Sequence, residues 1–242
     1  MRRLAVAIVL VAGVASAEPA LIARVESVAT NYHDDPRALD RLYDDLGRAG
    51  EQEPRIDVLV ALARIAFVWG DARATSVEQK LEAYDRGRQA ARRAVDQDPR
   101  NAAAHFWYAA NTARWGQAKG VVRSLTLLPE IQQGIDTVLA LDPKFAAAYA
   151  LAGNVYYEVP ALLGGDLAKA EAAFRKGLEL DPRFTAMRVG LAKTLARRGR
   201  VEEARRELER VLAEPAPTNR ANYTVQDAPE ARTLLASIRA RS

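Results

Sequence analysis

Along most of this chain apolar residues recur three and four positions apart, the spacing that gathers them on one face of an α-helix. From Pro19 to Tyr32 the stripe is Leu21, Ile22, Val25 and Val28. Asp34-Asp35-Pro36 then supplies a capping acid and a first-turn proline, and a second stripe of Leu39, Leu42, Tyr43 and Leu46 runs up to Gly47 and Gly50, which are expected to end it. Pro54 to Trp69 reads as a buried helix carrying Ile56, Leu59, Leu62, Ala63, Ala66 and Phe67, broken at Gly70-Asp71. A helix from about Ser76 to Val95 follows, with Leu81, Tyr84, Gly87 and Ala91, and stops at Asp98-Pro99-Arg100-Asn101.

That aspartate-proline punctuation returns. One unit opens with Asp142-Pro143-Lys144-Phe145 and closes with Asp181-Pro182-Arg183-Phe184, restating its own start, which makes it one member of an array. Prolines 54, 99, 143, 182 and 215 stand 45, 44, 39 and 33 residues apart. Within the unit, Tyr149, Gly153, Tyr156, Ala170, Phe174 and Pro182 resemble the tetratricopeptide repeat, a helix hairpin of about 34 residues. The turn from Val159 to Gly165 carries about five residues more than that repeat needs. A larger surplus of about ten residues follows the helix of His105, Phe106, Tyr108, Ala109 and Thr112, since a hairpin requires only a short turn. It runs through Arg114-Trp115-Gly116-Gln117-Ala118-Lys119-Gly120 and the apolar Val121, Val122, Leu125, Leu127 and Leu128 before Pro129 opens the next helix. Leu191, Ala192, Leu195, Gly199, Ala204, Leu208 and Val211 form the most regular repeat. Residues 218–226 read as a polar loop, and Asp227-Ala228-Pro229-Glu230 as the start of a final capping helix burying Leu234, Leu235 and Ile238. The expected fold is all-α: a tetratricopeptide-like helix-hairpin solenoid of about 10–11 helices, in one domain over residues 18–242.

The first residues follow a different rule. Arg2 and Arg3 precede an uncharged apolar run from Leu4 to Val14 and the small residues Ala15-Ser16-Ala17, the order of a secretory signal peptide over residues 1–17. The run is shorter than the roughly 20 residues a membrane-spanning helix needs. There is no cysteine, which excludes disulfides, thiolate metal sites and a lipid-accepting thiol after the leader. The expectation is a periplasmic protein with no stable membrane anchor. Without the two leader arginines the chain holds 33 basic and 31 acidic residues, a near balance that argues against a nucleic-acid partner.

Two histidines far apart, no cysteine and no Gly-x-Ser-x-Gly turn give no nucleophile with its base and no histidine-rich metal cluster, so catalytic, cofactor and metal residues are expected to be none. Arg114, Lys119 and Arg123 have the chemistry of an anion-binding patch, with a solvated basic helix end as the plainer reading. Trp115 beside them reads first as a packing anchor of the inserted segment. Trp107, Tyr108 and Tyr157 are not demanded by the repeat pattern and are candidates for a cavity or partner surface. Leu162 and Leu163, in the enlarged turn, complete the candidate set.

Three segments point to a narrower family: Lys80-Leu81-Glu82-Ala83-Tyr84, residues 114–131, and Pro160 to Ala170 with Gly164-Gly165-Asp166. They resemble the T-component family of TRAP transporters, and more distantly the eukaryotic regulators of microtubule dynamics, over Ile56 to Ser242. The T-component resemblance implies a repeat solenoid around an apolar cavity and an accessory, non-catalytic role in solute uptake. It also implies self-association, a periplasmic solute-binding protein as partner, and a small apolar or organic-acid ligand. Glu18 stands where family members often carry a lipidated cysteine.

Overall fold

Small residues set how closely the helices approach. A Cβ added to Gly153 would stand 2.5 Å from the Phe174 ring, and one added to Gly190 would stand 2.6 Å from it. Phe174 therefore fills a slot that two glycines from neighbouring hairpins leave open. The computed structural model in which this packing is seen describes residues 17–239. The expected leader lies outside the described residues except for Ala17.

Among the described residues the chain forms helices and turns only. Helix α1 (Ala17–Asn31) pairs with α2 (Pro36–Gln52), and α3 (Ile56–Ala72) with α4 (Val77–Gln97). Helix α5 (Ala102–Lys119) pairs with α7 (Leu128–Leu141), with the short α6 (Val121–Thr126) between them. A 3-10 turn at Ala161–Leu163 joins α8 (Ala146–Glu158) to its partner α9 (Leu167–Leu180), and α10 (Thr185–Arg197) pairs with α11 (Val201–Leu212). Helix α12 (Arg220–Asn222) passes through a π-turn (Tyr223–Asp227) into α13 (Ala228–Arg239), which packs on α11. This is the expected all-α tetratricopeptide-like solenoid.

The repeated aspartates have a repeated job. Asp98, Asp142 and Asp181 each accept a hydrogen bond from the backbone N–H two residues on, at Arg100, Lys144 and Arg183, over 3.0, 2.9 and 3.1 Å. Such a side-chain bond closes the turn that an intervening proline cannot close by its own N–H.

Two expectations change. Gly47 and Gly50 do not end α2, which continues to Gln52; both are buried, and the Arg86 guanidinium occupies the space a side chain at Gly47 would need. Their smallness serves a close approach within the helix. Residues 218–226 are not a free loop, because α12 and the π-turn occupy most of that stretch. Asp227 accordingly does not cap a helix start. It lies buried in the π-turn, where the Thr185 hydroxyl donates to its Oδ2 over 2.6 Å.

That C-terminal turn also meets the other end of the array. Ala221 is fully buried in the same apolar cluster as Val25, Ala29 and Leu59. The Tyr32 hydroxyl bonds Asn222 Oδ1 over 3.1 Å, and the Asn219 amide donates to the Ala29 carbonyl over 3.4 Å. Helix α1 and the short α12 near the C-terminus are thus in contact, and the array is joined end to end.

Candidate functional site

Each hairpin turns from its first to its second helix at the same edge of the array. The C-terminal ends of α3 and α5 meet there, Arg114 Nη2 donating to Asp71 Oδ2 over 2.9 Å. Further along, the ends of α8 and α10 meet in the same way, Arg197 Nη1 donating to the Tyr157 carbonyl over 2.8 Å. Between them, Trp115 of α5 packs against the buried cluster of Leu127, Ile131, Ile135 and Ala152, tying α5, α7 and α8 together. Most of the candidate residues lie along this edge.

Arg114 is committed to structure more than to an anion. It bonds Asp71, and its guanidinium lies over the Phe67 ring, 5.6 Å from the centroid. Asp71 also accepts from the Tyr84 hydroxyl over 2.6 Å. Burial pushes the Tyr84 hydroxyl up from its ordinary pKa, and the Asp71 charge adds to the rise, so that hydroxyl remains a donor.

Lys119 and Arg123 are separate from Arg114. With Arg88 they surround the Trp115 indole, at 5.4, 5.3 and 4.7 Å from its centroid. Arg88 also pairs with Asp85 over 2.8 Å. Lys119 and Arg123 form no ion pair with a described residue. A tryptophan face attracts cations, so Trp115 is both the expected packing anchor and the support for two cations free to meet an anion.

Trp107 and Tyr108 point to different duties. Trp107 is half-buried, edge-on to Phe106 and tilted against Phe67, with centroids 4.8 and 5.6 Å away. Tyr108 bonds Glu130 of α7 through its hydroxyl and carries Arg92 near its ring, so it fastens α5 to its partner helix. Burial, with Glu130 beside it, raises its pKa. His105 Nε2 donates to the Pro99 carbonyl over 2.9 Å.

Tyr157 carries two cations from the next repeat, Arg197 at 4.7 Å and Lys193 at 5.6 Å from its centroid, and Lys193 pairs with Glu230 of α13 over 3.1 Å. The sequence reading missed Lys193, Arg197 and Asp71. A signal existed: Arg197 follows Tyr157 by 40 residues and Arg114 follows Asp71 by 43, each close to one repeat interval. Leu162 and Leu163 stand exposed on the 3-10 turn, Leu162 almost wholly. Beside that turn a hollow of about 320 Å³ is lined by Gln132, Ile135, Asp136, Tyr156, Gly164 and Lys169. No group of three or more His, Asp or Glu side chains able to hold a metal occurs among the described residues.

Residues 21–163 match the family model of regulator of microtubule dynamics protein 1-3. The chain belongs to this family. The regulator of microtubule dynamics match takes in α1 and α2, upstream of the segments that carry the resemblance in sequence. Residues 161–238 match a tetratricopeptide repeat model. Among solved structures, the thermophilic tetratricopeptide protein TTC0263 of Thermus thermophilus is similar at 20% identity and a TM-score of 0.64, over 90% of this chain and 98% of that one. Pseudomonas aeruginosa PilF is similar at 18% identity and a TM-score of 0.53, over 92% of this chain and 90% of that one. At these identities the likeness establishes the fold. No curated protein sequence matches the chain. A tetratricopeptide array of this family is a protein-binding scaffold by architecture, since stacked hairpins present an extended surface.

Proposed function

We propose that the protein is a non-catalytic periplasmic adaptor, and that its specific form is the T-component of a TRAP-type uptake system contacting the solute-binding subunit. The observation that carries the adaptor reading is the set of cation-topped aromatics on first helices along one edge, Phe67 of α3 under Arg114 and Tyr157 of α8 under Lys193 and Arg197. Aromatic and arginine side chains are the types that dominate protein interfaces. Trp107, packed against Phe67, belongs to the same row. Segments 80–84, 114–131 and 160–170 support the T-component form, and the leader over residues 1–17 supports the compartment. A small organic acid would sit in the hollow beside Lys169, whose ammonium stands 5.6 Å from the Tyr156 ring centroid.

Titration calorimetry with the purified solute-binding subunit tests the reading. Tyr157→Ala with Arg197→Ala is expected to weaken association at least tenfold while circular dichroism is unchanged. Equal binding by both proteins refutes it. Native mass spectrometry of protein purified without denaturation is expected to retain a small acid, whereas a consistently empty protein favours a ligand-free scaffold for envelope assembly.

A further inference from the structure

The exposed large apolar side chains of the described residues are not scattered. Val77, Val121, Val122, Leu162, Leu163 and Val201 all lie in or next to the turns between first and second helices, on one edge of the array, and Val225 is the exception. The opposite edge, built from the aspartate-proline turns, carries none of them. Helix α6 is the extreme case. It buries no residue, and Val121 and Val122 are 76% and 78% exposed, so it contributes little to the core that stacks the hairpins.

Charge on this edge is also one-sided. Lys119, Arg123 and Lys169 form no ion pair with a described residue; each instead lies over an aromatic ring, Trp115 or Tyr156. The acids there are mostly engaged: Asp71 by Arg114, Asp166 by the backbone N–H groups of Ala168 and Lys169, Glu203 by Arg200. Exposed Glu78 and Glu158 remain.

We infer that this turn edge docks on an anionic lipid bilayer, with the valines and leucines entering the acyl boundary and Lys119, Arg123 and Lys169 meeting headgroup phosphates. Helices pack about 8–10 Å apart, so the apolar tips are spread over several turns instead of forming one patch. A protein interface buries a continuous, shape-matched core. Separate tips with cations between them suit a deformable surface that every tip enters, and apolar insertion with basic attraction is the general basis of peripheral attachment. No helix among the described residues is long and apolar enough to cross a membrane, so the attachment is peripheral.

Co-sedimentation of the full purified chain with vesicles tests this without any protein partner. Phosphatidylglycerol-rich vesicles at low salt are expected to capture at least tenfold more protein than phosphatidylcholine vesicles, with the excess lost at high salt. Val121→Asp with Val122→Asp, or Lys119→Glu with Arg123→Glu, should reduce capture about tenfold at unchanged thermal stability, while Val225→Asp should not. Equal capture by both vesicle types, no capture at low salt, or unchanged capture by the edge variants overturns the inference. So does loss of binding to the solute-binding subunit in the valine variant with no vesicle binding by the wild type, which makes the edge a protein interface.

Discussion

Tyr32 and Asn222, 190 residues apart in the chain, share a 3.1 Å hydrogen bond between the end of α1 and the short α12. The tyrosine is buried, and its hydroxyl is pushed up to about 12 by burial first and by the Asp71 and Asp227 charges second. It stays a neutral donor throughout the ordinary pH range. Tyr32→Phe leaves the Asn222 carbonyl without this donor and is expected to cost about 1 kcal/mol. Hydrogen exchange should then rise together in α1 and α12, and faster exchange in only one of them would show that the contact does not couple the two ends.

Asp227 gives a pH dependence of opposite sign to the usual carboxylate. Burial raises its pKa from 3.8 to about 6, against the lowering effect of the Thr185 bond, with Glu230 adding to the rise. The folded protein therefore holds this proton more tightly than the unfolded chain. The contribution is fully present below about 3.8 and is lost as pH rises through about 6. At neutral pH the loss is on the order of 3 kcal/mol. Glu171 works the other way: burial disfavours its ionised form, but bonds from Arg175 and Arg200 outweigh that and hold its pKa below the ordinary 4.5. Its contribution is present above 4.5 and lost as pH falls through the lowered value. Chemical denaturation is expected to show stability rising from pH 7 to about pH 5. Asp227→Asn should flatten that rise, and an unaltered slope would remove Asp227 as its source.

Phe174 sits between Gly153 and Gly190, and the three act as one unit. Gly153→Ala should destabilise by about 1–3 kcal/mol through overpacking, and Phe174→Ala by about 3–5 kcal/mol through the cavity it leaves. Gly153→Ala is expected to cost much less in the Phe174→Ala background. Additive effects in thermal melts would mean that the methyl group finds room elsewhere.

The hairpin frame was readable in the chain because its determinants are local. Each Asp-Pro pair carries its own turn bond, and each stripe of apolar residues declares its helix before any tertiary contact forms. Gly47 and Gly50 misled for the same reason: glycine ends a helix by conformation or admits a neighbour by size, and only the positions of the Arg86 guanidinium beside Gly47 and of Leu62 beside Gly50 distinguish the two. The contact of α1 with α12 had no local mark, since Tyr32 and Asn222 are ordinary residues until the array brings them together. Of the candidate site, Trp115, Lys119 and Arg123 do converge, because they lie within one short segment. Arg114 does not join them, as Asp71, 43 residues earlier, holds it.

The bond from Tyr32 to Asn222 also changes the mechanics of the fold. A solenoid with free ends is a spring: each repeat touches only its neighbours, and a partner can stretch or tighten the coil a little at every interface. Fastened at both ends, this array behaves as a hoop. Strain introduced at one hairpin has to be shared by all of them or released at the fastening, so a change of curvature would begin where α1 lets go of α12.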